Sequence, residues 1–364
     1  KAACGRRSMV AISPDIDTAG AFAIPWIVRR RYSGTERPSD RPKRPAWLTS
    51  ENGARKRERC STASAISCRH PLIPMSIVSP PLTAHFASLA NDYDVVLSDV
   101  WGVVHNGAVA FAEACDALAR FRDGGGTVVL ITNAPRPGNT VARLTLDALG
   151  VPRTAYDGII SSGDVTHALI AARAGQRVFH IGPARDLPIY DGLDAPTTAL
   201  EHADYAVCSG LTDDTVETPH DYHDLIERMR ARALPMICAN PDVVVERVDQ
   251  LVYCAGAIAD LYAAAGGNVT YAGKPYRPIY EQALAIAEAA RGRPVERHRV
   301  LAIGDSVRTD IKGAEAFGID SLFVTAGIHA EELGARNNPD TSVLSDIFAA
   351  AGVVPKAVMR RLNW

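Results

Sequence analysis

Three short apolar runs, each ending abruptly on polar residues and each followed by a helical pattern, constrain this chain more than any other feature. Val95-Val96-Leu97 stops at Ser98-Asp99, the run from Thr127 to Ile131 stops at Thr132-Asn133, and the run from Val300 to Ile303 stops at Gly304-Asp305. Short apolar runs bounded in this way read as strands buried on both faces. After the first, residues 112–122 place Ala114, Leu118 and Phe121 on one helical face, and Asp123-Gly124-Gly125-Gly126 stops the pattern. A second helix is expected over residues 139–149, stopped by Gly150, and another carries Ile311 and Ala314 ahead of a strand over residues 321–325. This alternation predicts an α/β fold with a doubly wound parallel sheet. Ligands of such sheets bind beyond the carboxyl ends of the strands, where Asp99, Thr132, Asn133 and Asp305 all stand.

Between these flanks lies a stretch with its own rhythm. Residues 177–181, 205–209, 236–239 and 243–245 read as strands, and 221–233 and 257–265 as helices. Asp157-Gly158 and Gly266-Gly267 mark its edges and favour a second α/β module inserted into the first over a continuation of the same sheet. The expected organisation is a core over 75–156 and 271–364 with an inserted domain over 157–270, which the 364 residues accommodate.

Charge separates a further segment. Residues 1–74 hold 15 Lys and Arg against 6 Asp and Glu, a net of +9, whereas the remainder carries −11 within a total of −2. Segment 1–74 contains Arg29-Arg30-Arg31 and Arg55-Lys56-Arg57, shows no sustained periodicity, and reads as a disordered basic extension. Met75, directly before the first ordered element, reads as a natural start. The acidic remainder argues against nucleic acid as a partner, and no apolar run is long enough to span a membrane. Seven cysteines without a CxxC pair read as reduced thiols, which suits a cytoplasmic protein.

The strand ends carry the chemistry. Asp99 opens Asp-Val-Trp-Gly-Val-Val-His-Asn-Gly; Thr132 and Asn133 follow the second strand; Gly304-Asp305-Ser306-Val307-Arg308-Thr309-Asp310 places two carboxylates five residues apart around a strand-to-helix turn; Lys274 lies in Gly-Lys-Pro. Three carboxylates, one lysine and hydroxyl and amide donors suit Mg²⁺-assisted phosphoryl transfer. Hard oxygen ligands would hold the ion, lysine would offset phosphate charge, and one aspartate would be free to attack phosphorus.

In these four motifs, in this order, the chain resembles the haloacid dehalogenase (HAD) superfamily, specifically its class IIA, NagD-like branch. The resemblance implies a HAD core with an α/β cap inserted between the second and third motifs. It also implies Asp99 as nucleophile, Thr132 and Asn133 at the phosphate, and Lys274 as the conserved cation. Asp99, the backbone carbonyl of Trp101, Asp305 and Asp310 would form the Mg²⁺ site. Asn240-Pro241-Asp242 resembles a cap signature, which makes Asn240 and Asp242 candidates for substrate contact. Arg308 could reach phosphate or pair on its own helix, and the second is preferred. The substrate implied is a small phosphorylated metabolite, a sugar phosphate or nucleotide, and pairing of two copies through their caps is a possible arrangement.

One departure matters. Phosphatases of the superfamily usually carry a second Asp two residues after the nucleophile, as general acid and base; here the residue is Trp101. General acid–base catalysis contributes about 10²–10⁴-fold, so slow turnover is expected unless another group substitutes. His105 is near in sequence and has a suitable ordinary pKa, against the plainer role of a loop histidine with a structural hydrogen bond. The leading expectation is a Mg²⁺-dependent phosphatase. The alternatives are a degenerate enzyme that binds a phosphorylated ligand or partner without turnover, and a dehalogenase-like hydrolase, against which the intact Asp305 and Asp310 speak.

Overall fold

In the first strand, alternate residues face opposite layers, and both layers are apolar. Val96 packs with Leu118, Phe121, Val128 and Leu130 on one side of the sheet, and Val95 and Leu97 pack with Val129, Ile131, Ile279 and Ala283 on the other. A strand apolar at every position therefore belongs in the middle of a sheet covered on both faces. The computed structural model describes residues 80–247, 250–330, 333–335 and 338–364. The basic extension expected over 1–74 and the start expected at Met75 lie outside the described residues.

Six parallel strands form the larger sheet: β1 (Val95–Ser98), β2 (Thr127–Thr132), β3 (Gly158–Ser161), β10 (Val300–Gly304), β11 (Asp320–Val324) and β12 (Ala357–Met359), in the order β12-β11-β10-β1-β2-β3. The intervening strands belong to the inserted domain. There β4 (Val178–Ile181), β5 (Tyr205–Cys208), β6 (Met236–Cys238) and β9 (Val269–Tyr271) form a second parallel sheet in the order β4-β5-β6-β9. Its core gathers Ala206, Cys208, Ile226, Met229, Ile258 and Tyr262. Strands β7 (Val244–Arg247) and β8 (Gln250–Tyr253) pair separately as an antiparallel hairpin.

The structure moves the expected boundary of the insertion. Residues 158–161, assigned by sequence to the inserted domain, pair with β2 as the edge strand of the larger sheet. The Ser161 side chain caps the helix Ser162–Ala171 through the Asp164 amide, and Asp164 returns the contact to the Ser161 amide. The core therefore runs at least one strand beyond residue 157. The glycine there is packing, not punctuation: a Cβ on Gly158 would stand 2.4 Å from Ile286. The strand expected over 243–245 is the first arm of the hairpin, whose return arm has too little alternation to be read alone. The helix expected over 221–233 begins as a 3-10 turn, Pro219–Tyr222, and becomes α-helical over His223–Ala231. The four cysteines among the described residues, Cys115, Cys208, Cys238 and Cys254, are free and buried.

Candidate active site

Strands β1, β2 and β10 are neighbours or next neighbours in the sheet, so their carboxyl ends bring Asp99, Thr132 and Asp305 to one edge. The turn after β10 adds Asp310 from the first turn of the following helical stretch. Asp99, Asp305 and Asp310 each offer an oxygen within 4.8 Å of the others, and all three are buried. Lys274 enters from the segment after β9. Its Nζ lies 2.6 Å from Asp99 Oδ1 and 2.6 Å from Asp310 Oδ1.

Backbone amides complete the setting. Val100 N donates to Asp99 Oδ1 (2.7 Å), Ile328 N to Asp305 Oδ2 (2.8 Å) and Ser306 N to Asp310 Oδ2 (3.1 Å). Asn133 orders the lysine: its Oδ1 accepts from Lys274 N (2.8 Å), and its Nδ2 donates to Lys274 O (3.1 Å). The same Nδ2 donates to Asp242 Oδ1 (2.9 Å), tying the core to the inserted domain. Thr132 Oγ1 accepts from Ala134 N (3.2 Å), which shapes the turn after β2.

The electrostatics are those of a crowded, desolvated carboxylate cluster. Burial, with Asp310 next, pushes the Asp99 carboxyl well above the usual range. Burial and then Asp310 raise Asp305 to about 7. Burial alone would depress Lys274, but the carboxylates of Asp310 and Asp99 hold its pKa above the usual lysine value. Asp242 is also raised, by burial. One ammonium among three carboxylates leaves two negative charges to be offset, and buried charges require partners. The oxygen-only donor set therefore fits a hard divalent cation.

Above the cluster opens a cleft of about 710 Å³, counting its open mouth, bordered by both domains. Asp99, Trp101, Thr132, Asn133, Asp242 and Asp305, all residues singled out from the sequence, line it. Val244, Val245 and Glu246 of the β7–β8 hairpin, Phe111, the loop 326–328 and Arg361 also line it, and sequence reasoning missed them. The loop and Arg361 follow β11 and β12, and the last strand carried no signal that placed it beside the others.

Two expected substrate contacts are corrected. His105 is 1% exposed and does not border the cleft. Its Nδ1 accepts from Gly107 N (3.0 Å) and its ring meets Trp101 edge-on at 5.1 Å. Burial lowers its pKa to about 4, so it is a neutral loop-forming residue. Asn240 does not border the cleft either: its Oδ1 accepts from Asp242 N (3.0 Å), closing a turn that points Asp242 inward. Arg308 pairs not on its own helix but across to the inserted domain, with Nη2 2.7 Å from Asp260 Oδ2.

Trp101 lines the cleft two residues after Asp99. Its indole Nε1 donates to the backbone oxygen of Glu246 (2.7 Å). The side chain thus spans from the β1 loop to the cap hairpin. Among the described residues, no helix is long and apolar enough to cross a membrane.

Comparison with known proteins agrees with this geometry. Residues 96–195 match the family model of haloacid dehalogenase-like hydrolases, and residues 271–350 match a HAD-hydrolase-like model. A haloacid dehalogenase-like hydrolase from Brucella suis is 47% identical, with a TM-score of 0.69 over 77% of this chain and 100% of that one. A D-glycerol 3-phosphate phosphatase from Mycobacterium tuberculosis is 31% identical over 67% of this chain and 66% of its own length. A structure of glycerol phosphate phosphatase from the same organism, in complex with magnesium, is 26% identical with a TM-score of 0.51, covering 70% of this chain and 78% of that one. The chain belongs to the haloacid dehalogenase-like hydrolase family, in its NagD-like, phosphatase-type branch.

Proposed function

We propose that the protein is a Mg²⁺-dependent phosphatase of small phosphate monoesters, with Asp99 as nucleophile. The observation that carries this reading is the buried triad Asp99, Asp305 and Asp310 held against Lys274. Asp99, Asp305, Asp310 and the backbone oxygen of Trp101 would hold the cation. Bound there, it would offset charge on the phosphoryl oxygens.

The chain's own groups account for the remaining roles. A carboxylate oxygen of Asp99 attacks phosphorus, the bond from phosphorus to the alcohol oxygen breaks with the alkoxide taking a proton from water, and the hydroxide so formed attacks the aspartyl phosphate to release hydrogen phosphate and restore the Asp99 carboxylate. Lys274 offsets charge as it builds between Asp99 and the phosphoryl group. Thr132, at the cleft floor, offers a hydroxyl to a phosphoryl oxygen. Asn133 keeps Lys274 in place through both of its amide atoms. Trp101 carries no proton that could be given to a departing alkoxide, so esters with acidic alcohols should be the better substrates. The same residue favours a second reading, a protein that binds a phosphorylated ligand and turns it over little.

Hydrolysis of p-nitrophenyl phosphate with Mg²⁺, abolished in Asp99→Asn, is the expected result. Tight binding of phosphate esters without release of phosphate from any of a broad panel would move the protein to the second reading.

A further inference from the structure

Among the described residues, the cleft is lined by four acidic side chains, Asp99, Asp242, Glu246 and Asp305, and by one cationic side chain, Arg361. Arg361 lies two residues beyond β12 and therefore at the same carboxyl edge of the sheet as the catalytic cluster. Its backbone segment is anchored: Thr325 N donates to Met359 O (2.9 Å) and Ala326 N to Arg360 O (3.0 Å), which docks it against the loop beside Asp305. The guanidinium lies over the Phe111 ring, 4.8 Å from its centroid. That contact satisfies its flat face and leaves the N–H edge to other partners. Among the described residues no carboxylate pairs with it. An arginine whose role was to balance the acidic cluster would sit on one of those carboxylates.

We infer that Arg361, stacked on Phe111, is a specificity-determining residue that binds a second anionic group on the alcohol part of the substrate. This rests on the phosphatase reading above and adds a substrate class to it: phosphate monoesters whose leaving group itself carries a carboxylate or a further phosphate. The planar guanidinium is suited to such groups because its two parallel N–H bonds match their oxygens. An acidic cleft lining of this kind disfavours an anionic tail unless a cation faces it. A cation held by the aspartate cluster, together with Lys274, would face the transferred phosphoryl group, so among the described lining residues Arg361 is the cation left for the tail.

The test compares 3-phosphoglycerate, whose tail is a carboxylate, with glycerol 3-phosphate, whose tail is a hydroxymethyl group. The full chain, Arg361→Gln and Arg361→Lys would each be assayed with Mg²⁺, with circular dichroism to verify folding. The expected result is a higher kcat/KM for 3-phosphoglycerate in the parent chain. In Arg361→Gln that preference should fall by about 10- to 100-fold, the range for a lost charged hydrogen bond, and Arg361→Lys should keep part of it. No preference in the parent, or a preference that Arg361→Gln leaves in place, overturns the inference. Calorimetric affinities for the same two compounds read the Arg361 contribution without turnover. A catalytically silent protein would therefore sink the phosphatase reading, while the affinity ratio would still decide the role of Arg361.

Discussion

The indole nitrogen of Trp101 lies 2.7 Å from the backbone oxygen of Glu246, so this side chain is a strut between the core and the inserted domain. A Cβ on Gly107 would stand 2.5 Å from the same ring, so the loop is closed tightly around it. This hydrogen bond ties the β1 loop to the hairpin that borders the cleft.

Across aryl and alkyl phosphates, kcat/KM should fall steeply as the pKa of the departing alcohol rises, because no side chain at position 101 protonates it. Trp101→Asp should flatten that dependence and favour alkyl esters by up to about 10²–10⁴-fold relative to p-nitrophenyl phosphate. An equally steep slope in the variant would show that the cleft lacks more than an acid.

Cation binding should be visible in stability. At a Mg²⁺ concentration 100 times its Kd, the folded state gains about 2.7 kcal/mol, read as a rise in Tm that EDTA reverses. Asp305→Asn should lose most of that gain. If the variant is stabilised by Mg²⁺ as much as the parent, the ion is held elsewhere.

Gly102 bounds the metal cluster from the β1 side. Its φ is +85°, and a Cβ there would lie 2.0 Å from Asp305 Oδ2. Gly102→Ala should therefore remove phosphatase activity and Mg²⁺-dependent stabilisation together, with the left-handed backbone adding roughly 1–2 kcal/mol of strain. Retained Mg²⁺ stabilisation in this variant would show that Asp305 can move aside without losing the ion.

His105 gives a pH dependence whose sign follows from its burial. Its pKa falls from an ordinary 6.5 to about 4 in the folded protein. Above 6.5 both states are neutral and there is no penalty. Between 6.5 and 4 the unfolded chain binds a proton that the folded chain refuses, so stability falls as pH drops, by about 3 kcal/mol in total. Urea unfolding at pH 7.5 and pH 4.5 should show a smaller difference for His105→Asn than for the parent chain. Equal differences would mean that the imidazole takes up its proton without unfolding.

Sequence alone determined the parts of this protein that depend on local pattern. Doubly apolar strands such as Val95–Ser98 have no stable place outside a covered parallel sheet, and a polar residue at the end of each such strand must fall at its ligand-binding edge. Asp99, Thr132, Asn133 and Asp305 stand at such strand ends, while Asp310 and Lys274 entered through the motifs that hold them. The tertiary structure decided what meets across distance in the chain. Residue 158 joins the core sheet because Gly158 lets Ile286 approach, a contact spanning 128 residues. His105 turns away from the cleft because its loop needs an acceptor for Gly107 N, whereas Asp242 turns inward because Asn240 closes the turn beneath it. Arg361 reaches the cleft because the last strand pairs beside β11. Nothing in the residues around it marks that pairing, since strand order depends on which faces the whole chain must bury.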